Sequence, residues 1–417
     1  MDSAYQTPSE FNRIQMIALV LGVAGAVAMI AGAINAGTRE QFFRSYLFGF
    51  TVWVGLPIGC LGLLQLQHLI SGSWGVMIRR VLEAGTRTFW LLILAFIPIA
   101  LGLKYIYVWA RYPAGEVFTG FMAHKAKYLN SGFFIGRAAL YFFLFGLLTV
   151  LLNKWSKDQD TSGNSRIEAN RMRVLSGPGI VIFCLAVSFA SFDWVMSLDP
   201  YWGSTIFGLI FLIGWTLLAL TFVVCTMAYL STRKPLEGSI GPPHFHDWGK
   251  LMLAMVLVWS YFNISQYLLI WSANLPEETK WYIGRTTGNW RWFGFFLGVF
   301  MFALPFFLLL SRDLKRAWKT LIPVALGLFF VRMVDIYWLV GPSPRASEGV
   351  AGVHHLPYFK ISWMDFASIV AFGGIWVAAF IWHLQARPLL PLKDHRLERG
   401  IAHAHKGEHM FEVPIED

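Results

Sequence analysis

Two aspartates stand where an apolar chain should not keep a carboxylate. Asp193, in FASFDWVMSLDPYWGST, ends a long apolar run and lies seven residues before Pro200. Asp335, in VRMVDIYWLVGP, lies seven residues before Pro342 at the end of another run. An ionisable group inside a membrane-crossing helix costs on the order of 2.5–3.5 kcal/mol, so it must face a protein interior or a wet cavity. The outer-half polar set around the first aspartate is Lys104, Tyr105, Arg137 and Asp193; around the second it is Tyr261, Gln266, Arg332 and Asp335. Arg332 and Asp335 are three residues apart, on one helix face, and pair directly. Asp193 has Ala190 at the corresponding position, so its countercharge comes from another helix, with Lys104 or Arg137 in view. Two cations against one anion suit a proton-transfer station or a site for a polar headgroup. The bland reading, structural ion pairs that hold helices in register, applies with most force to Arg332 and Asp335.

Other chemistry is thin. Cys60, Cys184 and Cys225 sit singly inside apolar runs, with no CxxC, CxxCH or ferredoxin-like spacing. The sequence therefore predicts no iron–sulfur cluster and no covalently attached haem in this chain. His68 and His383 fall near the inner ends of the second and tenth apolar spans, a pairing too bare to read as haem ligands. Asp365 is expected at the interface, and His403, His405 and His409 in a solvated tail; no metal site is expected.

These residues are positioned by membrane-crossing helices. Of 417 residues, 56% are hydrophobic and only 14% charged, against roughly 25% charged in soluble domains. With 36 Phe and 19 Trp, the surface suits lipid, and the net charge of +10 reads as basic loops on one side of a bilayer rather than as a nucleic-acid surface. A span needs about 20 apolar residues. Ten segments qualify, at about 14–35, 45–70, 89–111, 133–153, 177–198, 204–230, 248–273, 289–311, 319–341 and 362–385. Lys and Arg favour alternate loops about two to one, which places both termini in the cytoplasm. The polar N-terminus lacks the layout of a cleaved signal peptide. Residues 71–87 read as an amphipathic helix at the inner interface, with Arg79, Arg80 and Arg87 toward headgroups; residues 113–130 read similarly outside.

The two aspartates also mark a repeat. LKYIYVWARYP in the third span and SQYLLIWSANLP in the seventh each carry Tyr, Trp four residues later, then Pro: Tyr105, Trp109, Pro113 and Tyr267, Trp271, Pro276. Asn130 and Asn289 open the fourth and eighth spans. The expected architecture is all-α: two parallel four-helix bundles, spans 2–5 and 6–9, flanked by spans 1 and 10. The corresponding segments are 1–40, 41–200, 201–342 and 343–417. Parallel repeats with off-centre polar groups argue against an inverted-repeat secondary transporter.

The stretches SQYLLIWSANLPEETKWYIGR (265–285), FDWVMSLDPYWGSTIFG (192–208) and SGSWGVMIRRVLEA (71–84) resemble the polysulfide-reductase/NrfD-like integral membrane subunits. Among these they are most similar to the F subunits of alternative complex III, the bacterial quinol:cytochrome c or cupredoxin oxidoreductases. The resemblance runs through spans two to nine, and its most specific element is Asn274 to Glu278. It implies a multi-subunit respiratory or photosynthetic electron-transfer complex in the bacterial inner (cytoplasmic) membrane. Haem and iron–sulfur centres would lie on partners: an iron–sulfur subunit, c-type cytochromes and a paralogous NrfD-like membrane subunit. Quinol oxidation in that family is attributed mainly to the paralogue, and proton conduction or a second quinone (menaquinone) site to subunits like this one, which is not catalytic alone. No intramembrane histidine lies in the outer half of either expected bundle to take a quinol proton. The outer loops 274–288 and 343–361 would dock the iron–sulfur partner. The alternative from another class is a purely structural membrane anchor.

Overall fold

The computed structural model describes residues 5–113, 117–118, 123–161, 165–348 and 359–405. Among them there is no strand, and ten helices are long and apolar enough to cross a membrane. The crossing helices are α1 (Glu10–Ile34), α2 (Arg39–Ile70), α3 (Ser73–Arg87) continued by α4 (Phe89–Leu101), α5 (Ser131–Thr161) and α6 (Ser165–Trp194). They continue with α7 (Ile206–Ser231), α8 (Pro242–Ala273) and, after a short surface helix α9 (Pro276–Thr286), α10 (Trp290–Leu297). A π turn over Gly298–Ala303 joins α10 to α11 (Leu304–Leu310); α12 (Trp318–Val340) and α13 (Trp363–Gln385) complete the set, and α14 (Leu397–Ala404) lies in the tail. The end carrying residues 103–113, 123–130 and 274–289 is termed the outer end, and the opposite one the inner end.

Helix α2 is the axis. Its apolar window is wholly buried, whereas those of α1 and of residues 290–310 are only 28% and 22% buried. Helices whose apolar surface stays outside need a nonpolar solvent, which lipid supplies. Around α2 pack α3, α4, α6, α7 and α13; around α7 pack α2, α6, α8 and α12. Close approach explains the pairing of α2 with α7. Gly59 has no side chain, and a Cβ there would come 2.1 Å from the Trp215 carbonyl oxygen. The Trp215 indole N–H donates to the Thr51 carbonyl at 3.0 Å, across the same crossing. Small residues at such crossings bring backbones together where no hydrophobic effect drives helices in lipid.

Four expectations are corrected. The third span does not run over 89–111: α4 stops at Leu101, and residues 103–106 and 108–111 form separate single turns. Phe43 fills the notch at Gly102, where a Cβ would lie 2.1 Å from its ring, and the chain turns there. The fifth span does not carry its helix to Leu198. Helix α6 ends at Trp194, one residue after Asp193, and a short 3-10 turn follows over Met196–Leu198. Residues 154–173, which lie between the expected spans 133–153 and 177–198, are mostly helical extensions of α5 and α6.

The fourth correction concerns α3. Arg79 and Arg80 do not reach toward headgroups; they are buried. Arg79 bonds Glu83, Gln159 and Asp394, each at 2.8 Å, and Ser156 at 2.9 Å. Arg80 bonds Glu83 at 2.8 Å and also Asp160. Protein carboxylates and amides replace water around both guanidinium groups, which is the condition for burying a charge. Arg87 donates to the His383 carbonyl at 2.7 Å. The companion reading of 113–130 is not met either: residues 114–116 and 119–122 lie outside the described residues, and the rest hold a single helical turn, Lys125–Tyr128, rather than a surface helix; most of 343–361 and His409 also lie outside the described residues.

Candidate functional site

Asp193 occupies the last turn of α6 and is fully buried. Its countercharge is Arg137, one turn and a half into α5. The contact is bidentate: Nε to Oδ2 at 2.8 Å and Nη2 to Oδ1 at 2.7 Å. Tyr141 lies four residues after Arg137, hence on the same face of α5, and its hydroxyl donates to Oδ2 at 2.7 Å. The third guanidinium nitrogen donates to the Tyr128 carbonyl at 2.8 Å. The Arg137 guanidinium is also stacked, 3.7 Å from the Tyr128 ring centre and 4.5 Å from that of Phe133. A planar, delocalised cation suits this role, since it can pair in its plane and stack on its face.

The break in α6 is tied down from the other side. Ser197 donates its hydroxyl to the Asp193 carbonyl, Tyr107 donates to the Trp194 carbonyl at 2.9 Å, and the Trp109 indole donates to the Ser197 carbonyl at 3.1 Å. Carbonyls left over by the helix end thus find partners on residues 107–109, which explains why the third span had to unwind.

Lys104 and Tyr105 are not part of this site. Lys104 is exposed, with its ammonium 5.3 Å from the Tyr105 ring, and Tyr105 stacks on Phe43 at 5.2 Å. The expected charge imbalance is therefore absent: Arg137 and Asp193 meet one to one. Outward of the pair is a cavity of about 260 Å³ lined by Lys125, Tyr128, Ser197, Asp199 and Trp202. Lys125 donates to the Pro200 carbonyl at 2.9 Å. Burial raises the Asp199 carboxyl above its ordinary range. Burial and the neighbouring Asp193 push the Tyr128 phenol up to about 12. Protonatable groups thus run from Tyr141 and Asp193 through Tyr128 to a cavity near the outer surface.

In the second set, Arg332 and Asp335 pair within α12, both buried. Gly214 makes room for the guanidinium: a Cβ there would sit 2.0 Å from it. The Arg332 guanidinium carbon lies 5.8 Å from the Phe211 ring centre. Gln266 is buried, accepting from Ser204 and donating to the Tyr282 hydroxyl, both at 3.1 Å. Tyr261 does not join them; it is 66% exposed on the lipid side of α8.

Sequence reasoning missed Tyr141, Tyr128 and Asp199. Tyr141 was signalled by its spacing from Arg137; Tyr128 and Asp199 lie in connections, where no period marks a face. It also missed two buried arginines that cap the outer end of α12. Arg44 donates to the Gly341, Ser343 and Pro344 carbonyls, and Arg285 to those of Trp338 and Leu339. Asp365, in the first turn of α13, is buried, accepting from Ser45 at 2.5 Å and from the Ser362 N–H. His403 meets Asp247 at 3.1 Å, so the described part of the tail is docked, not solvated. No three of His, Cys, Asp and Glu gather as metal ligands among the described residues. Neither the protein-family models nor the curated proteins contain a match to this chain.

Proposed function

We propose that this chain is a proton-handling membrane subunit of a quinol:electron-acceptor oxidoreductase of the alternative complex III kind, working in a bacterial cytoplasmic membrane. The observation that carries the reading is the position of Asp193. Its buried carboxylate is bonded to Tyr141 and Arg137 and lies below an outer cavity containing Asp199. A carboxylate and phenols in a low-dielectric site are suited to hold and pass protons toward that surface. The resemblance of 71–84, 192–208 and 265–285 supplies the context. Haem, iron–sulfur clusters and the electron path would belong to partner subunits docked on the outer loops, with quinone or menaquinone reaching the complex from the lipid.

The test is Asp193→Asn in the assembled complex. Quinol:acceptor turnover or proton release should fall on the order of 100-fold, the usual weight of a placed acid–base group. Unchanged turnover in an intact complex would remove the site.

A second reading is a structural anchor, and the full bonding of the Arg137–Asp193 pair favours it. In that case Asp193→Asn sheds partner subunits, while whatever complex remains turns over normally.

A further inference from the structure

A cationic face lies at the inner end, between the start of α8 and the helical turn Arg312–Arg316 that joins α11 to α12. We infer that it binds the phosphate of an anionic phospholipid headgroup. The joining stretch, RDLKRAWK over residues 312–319, has Arg312, Lys315, Arg316 and Lys319 against one carboxylate, Asp313. None of the four cations makes an ion pair or a side-chain hydrogen bond among the described residues. Lys315 is set into the protein and is only 7% exposed. Its aliphatic stem lies across Gly249 of α8, where a Cβ would come 2.7 Å from Lys315 Cγ. The carboxylate of Asp247, on the same stretch of α8, is already taken: Lys250 holds one oxygen at 3.2 Å and His403 the other at 3.1 Å. Burial and the charge of Lys250 hold the Lys315 ammonium below its ordinary range. A buried charge without a partner is costly, and a cation set among cations calls for an anion from outside the chain.

Position selects lipid as the source of that anion. The turn stands directly between two crossing segments, residues 290–310 and 318–340. Phe307 and Leu310, just before it, are exposed apolar side chains, and the Lys319 ammonium lies 5.6 Å from the Trp318 ring centre. Tryptophan and basic side chains together mark the headgroup level of a bilayer. A headgroup at this level meets ammonium and guanidinium donors while its acyl chains run along α11. Lys315 reaches it with its stem on protein and its charge toward the rim. His246 stands on the same face, with Lys250, Lys315 and Arg312 as cationic neighbours and Asp247 as the anionic one. The start of α12 has no capping side chain and no acidic residue in its first turn, so its free N–H groups add to the positive potential. Basic clusters beside crossing helices attract anionic headgroups in this way. A zwitterionic headgroup would bring its own cation to a face that already has too many.

The site is independent of the proton role proposed for Asp193. The experiment places the purified protein, with any partners it retains, in phosphatidylcholine discs doped with a photoactivatable phosphatidylglycerol, followed by peptide mapping. Label is expected on residues 242–250 or 304–319. A phosphatidylcholine carrying the same photoactive group should label them severalfold less, and added inorganic phosphate should not compete. Lys315→Met keeps the stem on Gly249 and removes the charge; it should cut the phosphatidylglycerol label about tenfold or more, the weight of one charged hydrogen bond. Arg312→Gln, at an exposed position that leaves packing untouched, should cut it about fivefold and decides the matter if the Lys315 variant does not fold. Lys157→Gln, exposed at the inner end of α5, should leave it unchanged. Equal labelling by the two headgroups overturns the inference, as does full labelling of both the Lys315 and the Arg312 variants. A comparable loss with Lys157→Gln would reduce the site to diffuse surface charge, and displacement by inorganic phosphate would make the occupant a soluble anion; either result also overturns it.

Discussion

Arg79 and Asp394 are 315 residues apart in sequence and 2.8 Å apart in the fold. The contact fastens the tail to α3 at the inner end, and α14 packs on α3 beyond it. Arg396 holds the same carboxylate at 2.7 Å. Burial by itself would raise the Asp394 pKa, but the Arg396 hydrogen bonds and the charges of Arg79 and Arg396 outweigh it and leave the carboxyl well below the usual range. A depressed folded pKa means stabilisation that is complete above the unfolded value, about 3.9, and lost only as pH falls through the folded one. Residues 387–404 should therefore stay docked below pH 4, which hydrogen exchange of that segment reads directly. Asp394→Asn should loosen the segment at neutral pH, at a cost of about 1.5–3 kcal/mol for the charged hydrogen bonds lost, while Arg79 keeps Glu83, Gln159 and Ser156.

The Arg137–Asp193 pair gives a double-mutant test. Arg137→Met alone strands a buried carboxylate and should cost about 3–5 kcal/mol. Combining it with Asp193→Leu should recover most of that stability, since a buried pair is replaceable by apolar groups of like volume. Thermal unfolding of the protein in lipid discs measures both. Recovered stability with turnover still absent marks a functional pair; recovery of both marks a clamp.

Gly59 predicts a packing defect without any change of charge. Gly59→Val drives a side chain into the Trp215 backbone and should separate α2 from α7, costing about 1–3 kcal/mol. Lower thermal stability with the Thr51–Trp215 hydrogen bond broken is the expected result, visible as a shift in indole fluorescence.

Lys104 provides the opposite case. Because its ammonium lies at the surface beside Tyr105, Lys104→Ala should move stability by no more than about 0.5 kcal/mol. Turnover should be unaffected. A strong loss would return Lys104 to the Asp193 site.

What the sequence determined by itself is local. Apolar runs of span length placed ten crossing helices, because lipid leaves the backbone no other partner than its own helix. The three-residue spacing of Arg332 and Asp335 made their pairing readable from helix geometry alone. Asp193 was identifiable as buried for the same local reason, standing at the end of an apolar run. The tertiary structure decided everything that depends on which face meets which neighbour. It chose Arg137 over Lys104, turned Tyr261 to the lipid, ended α6 at Trp194, and drew Arg79 inward to Asp394. Hydropathy records what a side chain is, and in a membrane both the lipid face and the protein face are apolar. Only contacts between helices far apart in the chain distinguish the two.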